Sequence, residues 1–260
     1  MSTVKPSKIN RLLKLQPSGV VLISSWLVEQ GYSPELLRKY RNSNWLTSIG
    51  TGAMIRENDQ VNYLGAIFSL QQQLGLNIHP GAKTALSLHG KAHFLDFAQQ
   101  QVYIFGHSKE NLPRWFQKYD WGVKVNYYTT SFLPADEGMT TIRKDNFELS
   151  ISSPARGLME CLFIAPQSQD LMECLQIMQG LNNLNPKKIQ HLLEQCTSVK
   201  VKRLFLYLAE TCGHSWFKHL NLKQIDLGKG NRSLAKNGVY IPKYKITVPR
   251  EMEKDESPEL

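Results

Sequence analysis

Long apolar runs are missing from this chain. No stretch approaches the roughly 18–20 apolar residues that a membrane helix needs. The basic start, Met1 to Lys14, is followed by no apolar core of secretory type, so the expected location is the cytoplasm. Cysteine is scarce: Cys161, Cys174, Cys196 and Cys212, with no C-x-x-C spacing. That excludes a disulfide framework. Each thiol sits among apolar residues at helical spacing and reads as a reduced core residue. No internal repeat is visible. Acid is in deficit, with 22 Asp+Glu against 31 Lys+Arg, a net charge of +9. The surplus favours polyanionic partners, although a high pI points only weakly to nucleic acid.

What is present is globular. Apolar residues make up 42% and charged residues 20% of 260 positions, enough for one large domain or two modest ones. The charge is uneven. Residues 1–60 carry +4, 61–152 carry +1 and 153–250 carry +8, while the last ten carry −4. That acidic end, 251–260, contains Pro258, lacks periodicity and reads as a disordered tail.

The first sixty residues have a legible order. Ile9, Leu12, Leu13 and Leu15 among Lys8, Arg11 and Lys14 predict a short amphipathic helix, broken by Pro17-Ser18-Gly19. Val20–Ile23 is a short β-branched run. Ser24 is expected to cap a helix ending at Gly31, and Ser33-Pro34 opens another. In that helix, about 34–43, Leu36, Leu37 and Tyr40 share one face, whereas Glu35, Arg38 and Asn42 point away and Lys39 and Arg41 lie on the flanks. Trp45–Ile49, Gly50-Thr51-Gly52 and Ala53–Arg56 read as a β-hairpin. Helix, helix, turn, helix, hairpin is the outline of a winged helix-turn-helix. Tyr63–Leu74 is a mostly apolar helix. Strands are predicted at 76–79, 101–105, 123–128 and 147–152, and helices at 80–89 and 113–118. Beyond Ser153 the pattern becomes helical. Ile189, Leu192, Leu193 and Cys196 form one stripe and Val201, Leu204, Phe205, Leu208 and Cys212 another. Short strands follow at 240–241 and 244–248.

The fold class is therefore mixed α/β (α+β): an N-terminal winged helix-turn-helix over 1–76, a larger C-terminal α/β domain over 77–250 with a mixed sheet and several helices, and the tail. In the helix at 34–43, Arg38 and Asn42 are the side chains that pair with guanine and adenine edges in the major groove. Ser33, Lys39, Arg41, Ser48, Thr51 and Arg56 are candidates for the phosphate backbone. On the helix after Ser198, the face opposite the apolar stripe shows Lys200, Arg203 and Tyr207 and offers a possible polyanion site.

Other patterns are weaker. Gly81-Ala82-Lys83-Thr84 lacks the glycines of a phosphate loop, though its backbone could face an anion at a helix start. His89 and His93 stand four apart, but Gly90 intervenes and no further ligand is near, so no metal is expected. Asp145, Glu148 and Lys200-Val201-Lys202 form no complete nuclease signature, and no catalytic residues or cofactor are predicted. Asp226 to Arg232, with Gly228 and Gly230, is either a tight loop or an anion-binding nest.

Together these motifs resemble the AbiEi-type antitoxins, transcriptional regulators of the AbiE toxin–antitoxin systems. The resemblance runs from about Lys8 to Pro249. It rests on Tyr40-Arg41-Asn42-Ser43-Asn44-Trp45-Leu46, Gly50-Thr51-Gly52-Ala53, Leu74-Gly75-Leu76 and His79-Pro80-Gly81-Ala82-Lys83-Thr84. It continues in Ser152-Ser153-Pro154 with Arg156 and Glu160, in Ser198–Phe205, in Leu227-Gly228-Lys229-Gly230 and in Tyr244–Pro249. In the family the hairpin tip usually has Arg where Thr51 stands here. The resemblance implies a non-enzymatic repressor that binds an inverted-repeat operator on double-stranded DNA. It also implies an antitoxin domain acting, in the type IV manner, against a nucleotidyltransferase-like toxin without needing a stable complex. A stand-alone regulator and, more remotely, a nuclease-like enzyme are the alternatives.

Overall fold

The computed structural model describes residues 7–91 and 101–253. Among them the elements run α1 Lys8–Leu15, β1 Leu22–Ile23, α2 Ser24–Glu29, α3 Pro34–Asn42, β2 Leu46–Gly50, β3 Ala53–Arg56 and α4 Tyr63–Leu74. Next come β4 His79–Pro80, α5 Ala82–Leu88, β5 Gln101–His107, α6 Arg114–Lys118, β6 Lys124–Thr130, β7 Met139–Lys144 and β8 Phe147–Ser152. Helices α7 Pro154–Ile164, α8 Leu171–Gln179, α9 Pro186–Gln195 and α10 Val199–Thr211 follow. The short strands β9 Arg232–Ser233, β10 Val239–Ile241 and β11 Ile246–Val248 close the order.

The chain divides into two compact units. The first takes Met1–His79, Lys109–Lys124 and Thr141–Ser150; the second takes Pro80–Ser108, Val125–Thr140 and Ile151–Leu260. The expected single boundary after residue 76 is thus replaced by a division in which two later segments join the first unit. Sequence periodicity cannot show this, because it reports neighbours along the chain and not segments that return.

The first unit holds a winged helix-turn-helix. Its antiparallel sheet has the order β1-β3-β2, with Leu22 opposite Met54 and Thr47 opposite Ile55. A bulge lies between Ser48 and Gly50. Leu12, Leu22, Leu27, Tyr32, Leu37, Tyr40, Leu46 and Met54 form the core. Each fully buried leucine there contributes about 1.5–3 kcal/mol relative to an exposed one. Ser33 caps α3 by accepting from the Leu36 N–H at 3.3 Å, and Pro34 fills the first helical turn where no donor is needed. Ser24, expected as a cap, is instead the first helical residue of α2, whose cap position is Ile23 with no side-chain bond.

Helix α4 closes the outer edge of the sheet. Gln73 accepts from the Ile23 N–H at 2.8 Å and donates to the Val21 carbonyl at 2.7 Å, and the Ser69 hydroxyl donates to the same carbonyl. Side chains satisfy the backbone groups that a further strand would otherwise have to pair.

The second unit is built around α7, α8 and α10. Leu158, Cys161, Leu162, Cys174, Met178, Leu193, Leu204, Phe205 and Leu208 are among its fully or nearly fully buried side chains. Caps read from sequence recur here: Ser153, Asn185 and Ser198 accept from N–H groups of α7, α9 and α10. Strands pair in the orders β4-β5-β6 and β10-β11-β9, the latter mixed, with β10–β11 antiparallel and β11–β9 parallel. Strand β7, which pairs with β8 in a hairpin lying mostly within the first unit's Thr141–Ser150 segment, was not expected. Its sequence Met-Thr-Thr-Ile-Arg-Lys is half exposed and carries little apolar signal. The strand expected from residue 76 shortens to His79–Pro80. Near the end, Met252 is buried within a short 3-10 helix, Arg250–Met252. Order therefore extends into the segment expected to be a tail, while 254–260 lies outside the described residues.

Candidate nucleic-acid interface

Helix α3 forms as about two and a half amphipathic turns. Leu37 and Tyr40 are 2% and 8% exposed, whereas Glu35, Arg38, Lys39 and Asn42 are exposed on the other side. The helix starts on Ser33, whose hydroxyl is engaged as the cap, so Ser33 has a local structural task beside the expected phosphate contact. The Glu35 carboxyl is held below its usual range, first by its own backbone N–H, then by Ser33, with Arg38 adding to the effect. An acid in the first turn also suits the helix dipole. Arg38, Lys39 and Asn42 make no hydrogen bond or ion pair with other described side chains, so their polar groups are directed to solvent.

The flanking candidates divide. Arg41 is half-buried, and its Nη1 approaches the Met54 sulfur at 3.4 Å, so it leans on the hairpin. Ser48 is exposed, its hydroxyl donating to the Gly50 carbonyl at 3.3 Å, and Thr51 stands exposed at the hairpin tip. Arg56 corrects its assignment to the DNA backbone. Its Nη2 donates to the Gln16 carbonyl at the end of α1, and its Nε is buried without a partner among the described residues. Burial, opposed by Asp59, pulls its pKa down. Asp59 in turn accepts from the Gly19 N–H with both oxygens. Arg56 thus ties the base of the wing to the loop after α1.

The helix expected at 113–118 is present as α6, but the packing of its segment on the hairpin was not foreseen. Gly50 lies against Trp115: a Cβ on Gly50 would fall 2.8 Å from the Trp115 Cβ. Trp115, Phe116, Tyr119 and Trp121 form a tight aromatic knot with ring centroids 4.6–6.4 Å apart. The signal was four aromatics in seven residues, but nothing local says that they pack on a hairpin sixty residues earlier.

The predicted face of Lys200, Arg203 and Tyr207 is the larger correction. It is no exposed face. Arg203 is 1% exposed and donates to the carbonyls of Leu227, Gly228, Gly230 and Lys245. Lys200 donates to the Phe163 and Ala165 carbonyls, both at 2.6 Å, at the end of α7. Tyr207 is buried and donates to the Met252 carbonyl. The 226–232 segment is therefore the inverse of an anion nest, because it turns its carbonyls onto an internal guanidinium. The exposed cations of this region lie elsewhere: Lys218, Lys223, Lys229, Arg232, Lys236, Lys243, Lys245 and Arg250 are all exposed.

A second internal network involves the turn before α5. The Glu160 carboxylate, fully buried, accepts from the Ala82 N–H at 2.8 Å, from the Ser152 hydroxyl and from Arg156 Nε at 2.9 Å. Arg156 also donates to the carbonyls of Pro134, Ala135 and Glu137. An anion does sit at this helix start, but it is internal. Gly81 is required there, since a Cβ would lie 2.4 Å from the Glu160 Oε2. Lys83, the residue at the lysine position of a phosphate loop, pairs with Glu173 at 3.0 Å and lies over the Tyr103 ring. His89 meets the Ser152 carbonyl at 3.0 Å; His93 lies outside the described residues. No group of three or more His, Cys, Asp or Glu that could hold a metal occurs among the described residues. The thiols are free, three buried and Cys212 half-buried. No described helix is long and apolar enough to cross a membrane.

A winged helix-turn-helix that turns an Arg-Lys-Asn face to solvent, followed by a larger mixed α/β unit, defines a two-domain regulator class. The family comparison specifies it. Residues 5–97 match the N-terminal domain of the AbiEi antitoxin transcriptional regulators, and residues 99–249 match the type IV AbiEi antitoxin transcriptional regulator itself. The chain belongs to that family. Among curated proteins nothing matches. Among solved structures, the RV2827C protein from Mycobacterium tuberculosis is similar in fold, with a TM-score of 0.59 at 15% identity over 92% of this chain and 88% of that one. Three solved chains match in all.

Proposed function

We propose that this chain is a DNA-binding repressor of its own toxin–antitoxin operon and the antitoxin against a nucleotidyltransferase-like toxin. The observation that carries the DNA-binding half is the exposed, unpartnered face of α3 in a winged helix of a regulator family. Arg38 and Asn42 read base edges in the major groove. Lys39, Ser48 and Thr51 hold phosphates and set the register, with Ser33 and Arg41 beside them at the margins of α3. An inverted-repeat operator takes two copies, one per half-site.

In a mobility-shift titration on the DNA upstream of its own coding sequence, Arg38→Ala should lose about 1–3 kcal/mol and relax one base preference. Unchanged affinity and unchanged sequence preference would remove the groove assignment. For the antitoxin half, the toxic product of a neighbouring gene should be neutralised by co-expression of the full chain. Continued toxicity would leave a stand-alone regulator.

A further inference from the structure

The wing of the first unit is poor in available cations. Between Leu46 and Arg56 the only basic side chain is Arg56 itself, and its guanidinium is engaged on the Gln16 carbonyl. The tip, Gly50-Thr51-Gly52, is uncharged. Ser48 and Thr51 can offer hydroxyl contacts to phosphates, but the salt-dependent part of the affinity comes from Lys and Arg, which this tip lacks.

The charge is supplied from another part of the chain. A Cβ on Gly50 would lie 3.1 Å from the Trp115 Cα as well as 2.8 Å from its Cβ, so only glycine lets α6 lie this close to the wing. A C–C bond of about 1.5 Å and a Cα spacing of about 3.8 Å then place the Arg114 Cα within about 8.5 Å of the Gly50 Cα. On the helix, Arg114, Gln117 and Lys118 share one face and Trp115 and Phe116 the opposite one. The first three are exposed and the last two are 5% and 1% exposed. The short helix is held stiff: Trp121 Nε1 donates to the Phe116 carbonyl at 2.8 Å, and its ring packs on Trp115, Phe116 and Tyr119. Neither Arg114 nor Lys118 makes an ion pair with a described residue, so both ammonium and guanidinium groups are presented to solvent on a rigid support.

We propose that α6 is a second wing element: Arg114 and Lys118, seated beside the hairpin tip through the Gly50–Trp115 contact, bind the phosphates of duplex DNA flanking the site read by α3. This rests on the DNA-binding reading above and extends its footprint. The contacts are to backbone, so they carry affinity and salt dependence without base preference.

The test uses the full chain and two duplexes, one carrying the DNA upstream of its coding sequence and one scrambled at equal length. Binding is measured by fluorescence anisotropy across a salt series. The Arg114→Ala/Lys118→Ala variant should weaken both duplexes by the same factor and flatten the slope of log K against log salt by about 2. A charge-matched control, Lys187→Ala/Lys188→Ala on exposed positions of α9, should keep the wild-type slope. Arg114→Glu/Lys118→Glu should weaken binding further, and hydroxyl-radical footprints should lose protection only at the outer edge. An unchanged slope and footprint in the α6 variants, or an equal drop in the α9 control, overturns the α6 assignment while leaving α3 as the reader. A wild-type chain that binds neither duplex overturns the DNA-binding reading, and the α6 assignment with it.

Discussion

Two helices of this protein, α3 and α10, present the same chemistry in sequence and opposite chemistry in space. Each sets an apolar stripe against a face with Arg, a second cation and a polar residue. In α3 that face meets water. In α10 every residue from Val201 to Ala209 is buried, and Lys200 and Arg203 donate to backbone carbonyls from three other segments. The difference comes from what surrounds each helix. A nine-residue helix at the rim of a small three-stranded unit has one side covered. A thirteen-residue helix in the middle of the larger unit is covered all round. A cation on an apparently polar face is thus either a ligand-binding group or an internal cap for loops, and the partners decide which.

The sharpest way to break this comparison is to truncate the matching arginines. Arg203→Ala should destabilise by more than about 4 kcal/mol, because a large side chain only 1% exposed is removed and four backbone carbonyls lose their donor at once. A urea melt that shifts by less than about 1 kcal/mol would show that water replaces the guanidinium. Glu160→Ala follows at about 3–4 kcal/mol, since it leaves Arg156 buried beside an N–H without its acceptor. Arg38→Ala should leave the same melt within about 0.5 kcal/mol and express its effect only in operator binding. Lys39→Ala should weaken operator and scrambled DNA alike, lowering the salt slope by about 1.

A further expected effect concerns pH. Burial pushes the Cys196 thiol, just before α10, from 9.0 up to about 11, against the lowering effects of a backbone hydrogen bond with Ser198 and of the nearby Lys202. The folded pKa exceeds the unfolded one, so the contribution is fully present below pH 9 and is lost as pH rises toward 11. Cys196→Ala should flatten that alkaline limb in denaturation midpoints taken across this range, and an identical slope in both proteins would assign the limb to other groups.

Much of the fold was legible along the chain. Ser33-Pro34, Ser153-Pro154, Asn185-Pro186 and Ser198 all open helices where capping chemistry placed them. The order α1-β1-α2-α3-β2-β3 follows from turns at Pro17-Ser18-Gly19, Gly31 and Gly50-Thr51-Gly52. Strand β7 escaped because its residues are too polar to show a period. The return of 109–124 and 141–150 to the first unit escaped because it is a long-range fact with no local trace. Arg56 was misassigned for a related reason: its partner, Gln16, lies forty residues away.

The motifs that carry the family resemblance show the same division. Gly81-Ala82 meets Glu160, which also holds Arg156 and Ser152, and Leu227-Gly228-Lys229-Gly230 meets Arg203, though in sequence they are unrelated pieces. Sequence alone determined most of the helices, the hairpin and the side of α3 that carries Arg38, Lys39 and Asn42, because capping and periodicity act within a few residues. Only the tertiary structure decided which cations remain available to a partner. Availability depends on whether a carbonyl or carboxylate from a distant segment arrives within about 3 Å, and that is set by how the chain returns upon itself.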